Sequence, residues 1–254
     1  GIGYNLAQPA PLYLANLLMG TYIIEAARHA SSVTKTVLVG TVCSYPKITP
    51  VPFAEDQLWN GYPEESNAPY GIAKKAHLIH AQVNAQQYGQ HLAYLIPTNL
   101  YGPGDKFHPS VSHVIPALIK KCVEASESGA EHVDVWGTGS ASREYLYVDD
   151  AAQAIVRAAE ADDQSGIVEP INLGADREVT IKETVETIAQ LVGFTGQLRW
   201  DPSKPDGQPR RGVDGSRANR LLGWKPAMNF DEGLRNTIDW YIANRAEAER
   251  DPHA

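Results

Sequence analysis

The chain has 254 residues, 43% hydrophobic and 20% charged, enough for one large core or a core with a smaller second lobe. Its net charge of −8 excludes broad nucleic-acid binding, which needs basic surface against phosphates, and no run of 18 apolar residues is present to span a bilayer. Two cysteines, Cys43 and Cys122, with no Cys-x-x-Cys, fit neither a disulfide framework nor a zinc site, and no basic-then-apolar leader opens the chain; the expected setting is the reducing cytoplasm, without a metal.

Residues 13–30 carry apolar side chains at helical spacing. Lys35 to Thr41 is a β-branched run that ends in glycine, the pattern of a buried parallel strand. A Pro-rich loop, Pro46 to Pro69, leads to a second long helix over 70–88, and the strand Leu92–Ile96 stops at Pro97. Beyond the turn Tyr101-Gly-Pro-Gly104, a helix runs from about His113 to 126. Strands are expected at His132–Trp136, Glu144–Tyr147, Pro170–Leu173 and Gln197–Trp200, and helices at Asp149–Ala161, 180–192, Asp214–Leu222 and Asp231–Asn244. This alternation predicts an α/β fold with a doubly wound parallel sheet. The polar, Pro- and Gly-rich stretch Asp201–Gly215 reads as an ordered ligand loop or a connection between lobes.

The chemistry begins at Tyr70-Gly-Ile-Ala-Lys74. A spacing of four on a helix puts both side chains on one face, where an ammonium beside a phenol favours the phenolate and lets it exchange a proton near neutral pH. Chance spacing alone supplies roughly half a match in a chain of this size. Context adds weight, because Gly40 and Thr41 end a strand, and ligands of parallel sheets sit at the carboxyl ends of strands. Thr41 is placed to hydrogen-bond a carbonyl that Tyr70 protonates; its plainer reading is a hydroxyl bonded to its own backbone. Asn16, in the middle of the first helix, asks for a polar partner.

Asn16, then Thr41, then Tyr70-x-x-x-Lys74 resembles the active-site tetrad of the short-chain dehydrogenases/reductases. Arg143-Glu-Tyr-Leu-Tyr-Val-Asp149 and the segment Asp214 to Pro226 are similar to signatures of the extended branch, the NAD-dependent epimerase/dehydratase family, whose members act on sugar nucleotides. Three further stretches resemble the GDP-L-fucose synthase group: Cys43-Ser-Tyr-Pro-Lys47, Pro97 through Ala117, and Ser203 to Arg210. The resemblance implies a Rossmann-like NADP-binding portion over 1–104 and a smaller C-terminal α/β lobe for the GDP-sugar over 105–254, interleaved with returning Rossmann segments. It implies epimerisation of a GDP-bound 4-keto-6-deoxymannose at C3 and C5, then reduction at C4 with NADPH, on Thr41, Cys43, Tyr70, Lys74 and His113.

Within that reading Cys43 is the base and His113 the acid, with His108 as a rival to His113. A free thiol titrates near about 8.5, so a thiol base at neutral pH needs positive charge beside it, and Lys74 is one residue able to supply it. The plainer readings are a small buried hydrophobe for Cys43 and a polar helix start for His113. Gly40, Thr41, Tyr70, Lys74, Pro97, Thr98, Asn99, Leu100 and His113 are the implied cofactor contacts. Lys121, Trp136, Arg143 and Asp206 are the implied GDP-sugar contacts, against a solvated helix face for Lys121, ordinary core for Trp136 and a surface ion pair with Glu144 or Asp149 for Arg143. The family pairs two helices per subunit, here 13–30 and 70–88, into a symmetric homodimer contact. A 4-epimerase, a 4,6-dehydratase or a non-catalytic binding protein are the rival functions; the dehydratase expects an acidic residue beside Thr41, and none is there.

The resemblance has a gap. No Gly-x-x-Gly-x-x-Gly turn between a strand and a helix occurs, and Gly1-Ile2-Gly3 precedes no such pattern. The expectation is that residue 1 follows the third strand of the family fold, so that about two βα units and a strand, roughly 60–75 residues, are missing.

Overall fold

The computed structural model describes residues 5, 7–161, 168–204 and 206–250; the Gly1-Ile2-Gly3 start lies outside them. Helix α1 is Pro9–His29, and it begins earlier than the apolar spacing suggested because Pro9 stands in the first turn, where its missing N–H costs nothing. Strand β1 is Thr36–Val39, α2 is Ala68–Tyr88 and β2 is Leu92–Pro97. Then come β3, Asn99–Tyr101, α3, Val114–Ser128, β4, His132–Trp136, β5, Ser142–Tyr147, and α4, Val148–Glu160. The rest are β6, Pro170–Leu173, β7, Glu178–Thr180, α5, Ile181–Leu191, β8, Gln197–Asp201, β9, Arg210–Arg211, α6, Ser216–Leu222, α7, Phe230–Ala243, and α8, Arg245–Ala248.

Strands β1, β2 and β6 form a parallel sheet with β2 in the centre, in the register Thr36↔Leu92 and Tyr94↔Pro170. Side chains alternate between its faces, and both faces are buried. Leu38, Leu92, Tyr94 and Ile96 pack with Ile24 of α1 and Leu78, Ala81 and Ala85 of α2. Leu95, Ile171 and Leu173 turn the other way, onto Ala151, Ala154 and Ala158 of α4 and Ala218 of α6. Helices on both faces of a parallel sheet make this the doubly wound arrangement that the alternation of elements predicted.

After Pro97 the chain leaves that sheet. Strand β3 pairs parallel with β5, which also pairs antiparallel with β7 and parallel with β9. Strands β4 and β8 pair separately. A second core joins α3, α5 and α7 to these strands, with Phe107 stacked on Tyr241 at 4.3 Å between ring centroids. The two short strands β7 and β9, and β3, were not legible as strands. They are two or three residues long and partly polar, so pairing across the fold and not side-chain period makes them extended. Among the described residues no helix is long and apolar enough to cross a membrane.

Candidate active site

Thr41 leaves β1 with extended backbone and caps a single 3-10 turn, Val42–Ser44, its hydroxyl accepting the Cys43 N–H at 3.2 Å. That short-range bond is the plainer reading of Thr41; the same hydroxyl also acts on the Tyr70 phenol across from it on α2, favouring the phenolate. The turn and the helix touch backbone to backbone. A Cβ on Gly71 would lie 2.3 Å from the Cys43 carbonyl oxygen, so only glycine lets Tyr70 approach this closely. Ser44 Oγ donates to the Gly71 carbonyl at 2.9 Å and fixes the contact, and Tyr94 of β2 donates to the Lys74 carbonyl at 2.7 Å.

The electrostatics differ from the expectation at Tyr70. Its phenol is pushed above its ordinary value, first by burial and then by the nearby Cys43, while the Thr41 hydrogen bond acts in the opposite direction. The ammonium of Lys74 stands 5.9 Å from the Tyr70 ring centroid, donates to Val39 O at 3.2 Å and is itself pushed down by burial. Burial thus favours the protonated phenol of Tyr70, a proton donor, over the phenolate.

The cation in contact with Cys43 is Arg211, which the sequence reading did not single out. Its Nη1 lies 3.9 Å from the half-buried Cys43 Sγ, and Gln208 Oε1 grips the other edge of the guanidinium through Nε at 3.0 Å and Nη2 at 2.7 Å. Arg211 is delivered by β9, whose register with β5 puts it opposite Arg143. Arg143 donates to the carbonyls of Ser142 at 2.6 Å, Gln208 at 2.7 Å and Asp206 at 3.4 Å, and so makes no ion pair with Glu144. Burial, and then Arg211, push the Arg143 guanidinium below its ordinary value. Glu144 faces the other way, accepting the Val213 N–H at 2.8 Å.

The remaining residues fall into connected groups. Asp206 accepts from the Thr138 N–H at 2.7 Å and from its hydroxyl at 2.8 Å, which joins the loop after β4 to the Arg143 loop. Gly137 at that turn has φ +81°, and a Cβ there would strike Asp206 Oδ1 at 2.2 Å. Trp136 is 65% exposed, which rules out the core reading, and two ammonium groups flank its ring, Lys121 at 5.9 Å and Lys204 at 5.6 Å. Lys121 also donates to Asp134 O at 3.0 Å. Thr98 and Asn99 both donate to Glu144 O, so their side chains tie the end of β2 to β5 while Leu100 stays 40% exposed. His113 is the N-cap residue of α3 without a capping bond, and its imidazole is pushed down mainly by desolvation, with Asp105 opposing. His108 instead bonds Ser110 Oγ at 2.8 Å. Asn16 bonds the Leu12 carbonyl of its own helix at 2.9 Å.

Comparison with known proteins places this geometry. The model of the NAD dependent epimerase/dehydratase family matches residues 1–174. The chain belongs to that family. It is 44% identical over 250 residues to the probable GDP-L-fucose synthase 1 of Oryza sativa subsp. japonica, covering 98% of this chain and 75% of the relative. It is 40% identical to the GDP-L-fucose synthase of Escherichia coli (strain K12), covering 96% and 78%. Among solved structures, a GDP-L-fucose synthetase from Naegleria fowleri bound to NADP superposes with a TM-score of 0.84 at 30% identity, over 94% of this chain and 75% of that one. Family membership agrees with the parallel sheet and with a site at its carboxyl edge.

Proposed function

We propose that this chain converts GDP-4-keto-6-deoxy-D-mannose into GDP-L-fucose, by epimerisation at C3 and C5 followed by NADPH-dependent reduction at C4. The observation that carries the reading is the cluster at the end of β1. A thiol, Cys43, sits two residues from a hydroxyl, Thr41, that acts on a half-buried phenol, Tyr70, whose burial favours its protonated form. A simple reductase needs the hydroxyl and the phenol, but has no use for the thiol. The names of the relatives point the same way.

The residues fit a nicotinamide nucleotide, which supplies the reducing equivalent to C4 when bound. Lys74 spends one of its three donors on Val39 O and keeps the others for ribose hydroxyls. Gly40 and the Pro97–Leu100 segment lie at the carboxyl ends of β1 and β2, where such a group is held in open α/β sheets. Thr41 orients the C4 oxygen and Tyr70 protonates it. Both epimerised carbons adjoin the ketone, so their protons are acidic through an enolate; Cys43 removes each proton, and His113 returns one on the opposite face. Arg143 holds the diphosphate, Trp136 offers its exposed face to the base, and Lys121 and Asp206 border that pocket. Residues 1–104, with β6 and α4 returning to their sheet, form the cofactor side, and most of 105–254 forms the sugar-nucleotide side. NADPH, GDP-sugar and the free thiol of Cys43 suit the cytoplasm. The exposed apolar faces of α1 and α2 pair two copies into a dimer.

Isotope exchange tests the reading. In deuterated water without NADPH, the protein should wash deuterium into C3 and C5 of the keto sugar. Cys43→Ser should lose most of that exchange, since a hydroxyl is a far weaker base than a thiolate. His113→Asn should allow exchange and release sugar of the wrong configuration. Both variants should still reduce the ketone slowly, to un-epimerised product; exchange at the unmodified rate in both would leave a plain reductase.

A further inference from the structure

Two arginines face each other across paired strands, and they do different things. Arg143 gives its N–H groups to three backbone carbonyls at the mouth of the site. Arg211 is turned inward by Gln208, which takes its Nε and one Nη2 proton and leaves Nη1 directed at the Cys43 sulfur, 3.9 Å away. Gln208 is held in turn, its Nε2 donating to Lys47 O at 3.1 Å, four residues beyond Cys43. One amide therefore ties the loop carrying Arg211 to the segment carrying the thiol. The backbone on either side is anchored too, with Ser142 N donating to Pro209 O at 2.9 Å and Phe53 N to Gly212 O at 2.8 Å. A flexible, strongly hydrated surface arginine would need none of this.

We propose that Arg211 is a positioning residue that acts through Cys43: its guanidinium faces the negative charge that sulfur carries once the proton has left. The proposal rests on the reading of Cys43 as the proton-abstracting base. The groups facing the sulfur are Arg211 from β9 and Tyr70 from α2, with Arg143 behind Arg211 and Lys74 behind Tyr70. Burial and the nearby Cys43 both disfavour the phenolate of Tyr70, so it brings no competing negative charge to the sulfur. Lys74 donates to Val39 O and stands by the Tyr70 ring. Arg211 is the cation in contact. A guanidinium remains charged throughout the accessible pH range, so the partner of the sulfur does not titrate as the thiol does.

The test separates this role from a diphosphate grip. The rate of Cys43 alkylation by iodoacetamide, followed on the peptide by mass spectrometry because Cys122 is also present, is measured against pH without substrate. Arg211→Met keeps the bulk of the side chain and removes the charge. The midpoint of its alkylation profile should move toward higher pH, as loss of an opposite charge in contact with the sulfur requires. Deuterium exchange at C3 and C5 near neutral pH should fall in proportion, as that shift in thiolate fraction requires. Arg211→Lys should restore most of both. Gln208→Leu, which frees Arg211 without removing it, should move the midpoint in the same direction by less. An unchanged midpoint in Arg211→Met, with KM for the keto sugar raised instead, would overturn the proposal and make Arg211 a second diphosphate ligand. A moved midpoint with no exchange in the unmodified protein would leave the charge pair intact and sink the epimerase reading.

Discussion

Tyr70 shows what single residues disclose and what they hide. Its spacing to Lys74, and its place after a strand ending in Thr41, were legible because all of that is local: four residues on one helix face, and a strand terminus. Its ionisation was not, because burial depends on what packs above the ring, and burial pushes the phenol above its ordinary value of 10. Arg211 was illegible for a related reason, since it reaches Cys43 from 168 residues further along the chain. The sequence suggested Lys74 for that charge because Lys74 lies on the helix beside the site, while Arg211 arrives on a two-residue strand without a periodic signal. The raised phenol has a kinetic consequence. Tyr70 must be protonated to deliver a proton, so any alkaline loss of C4 reduction from this group should come at higher pH than for an ordinary phenol. Tyr70→Phe should lower the reduction rate by about 10²–10⁴ while leaving sugar-nucleotide binding nearly unchanged. Single-turnover reduction across pH, in both forms, checks the two statements; reduction by the Phe variant at the normal rate would remove the phenol from the chemistry.

At the level of elements, the long periodic helices and the buried strands of the parallel sheet were legible to within a few residues. The pieces that assemble the sugar-nucleotide side were not. Strands β3, β7 and β9 exist because β5 pairs with all of them, and β5 is organised around Glu144. The Glu144 carbonyl collects Thr98 and Asn99 from β3's approach, while its carboxylate holds Val213 N at 2.8 Å just past β9. In the sequence this residue reads as an ordinary member of the Arg143-Glu-Tyr motif. In the fold it is only 5% exposed, and burial lifts its carboxyl to about 7, against the Val213 N–H and with help from nearby Asp176. The sign of the linkage follows from that direction. Between the ordinary value of 4.5 and about 7, the folded chain binds more protons at Glu144 than the unfolded chain. The stability Glu144 contributes is thus fully present below pH 4.5 and lost as pH rises through about 7. Urea unfolding at pH 5 and pH 8 should show the protein losing up to about 3 kcal/mol relative to Glu144→Gln, whose amide does not titrate. Equal pH dependence in the two proteins would show that Glu144 is ionised in both states.

At the scale of the whole molecule, one surface remains in conflict with the solvent. Helix α1 turns Gly20 and Ile24 inward, where Ile24 is fully buried, and α1 and α2 are locked together by polar contacts: Glu25 accepts from Asn84 and bonds His80, each at 2.9 Å. On the outer side of the same two helices lie Leu14, Met19, Tyr22 and Ile23, each at least half exposed, with Leu18, Ile79 and Val83 more than a third exposed. Leu14, Leu18 and Tyr22 follow one another at intervals of four, as do Met19 and Ile23, and Ile79 and Val83, so the apolar groups form ridges along the helices and are not scattered. Ridges of this kind on paired helices fit a second copy related by a two-fold axis, four helices meeting in one apolar core. Exposed apolar side chains grouped on one helical face mark a contact surface more often than scattered ones do. The site lies at the strand ends, on β9 and on the first turns of α2, while Leu18 and Ile23 belong to the outer side of α1, so disrupting the contact there should separate assembly from chemistry. Leu18→Glu with Ile23→Glu should turn a dimer into a monomer by light scattering at micromolar concentration. Cys43 alkylation should keep its pH profile in that monomer, because none of its charge partners belongs to the helix face. A double variant that still sedimented as a dimer would place the contact elsewhere on the molecule.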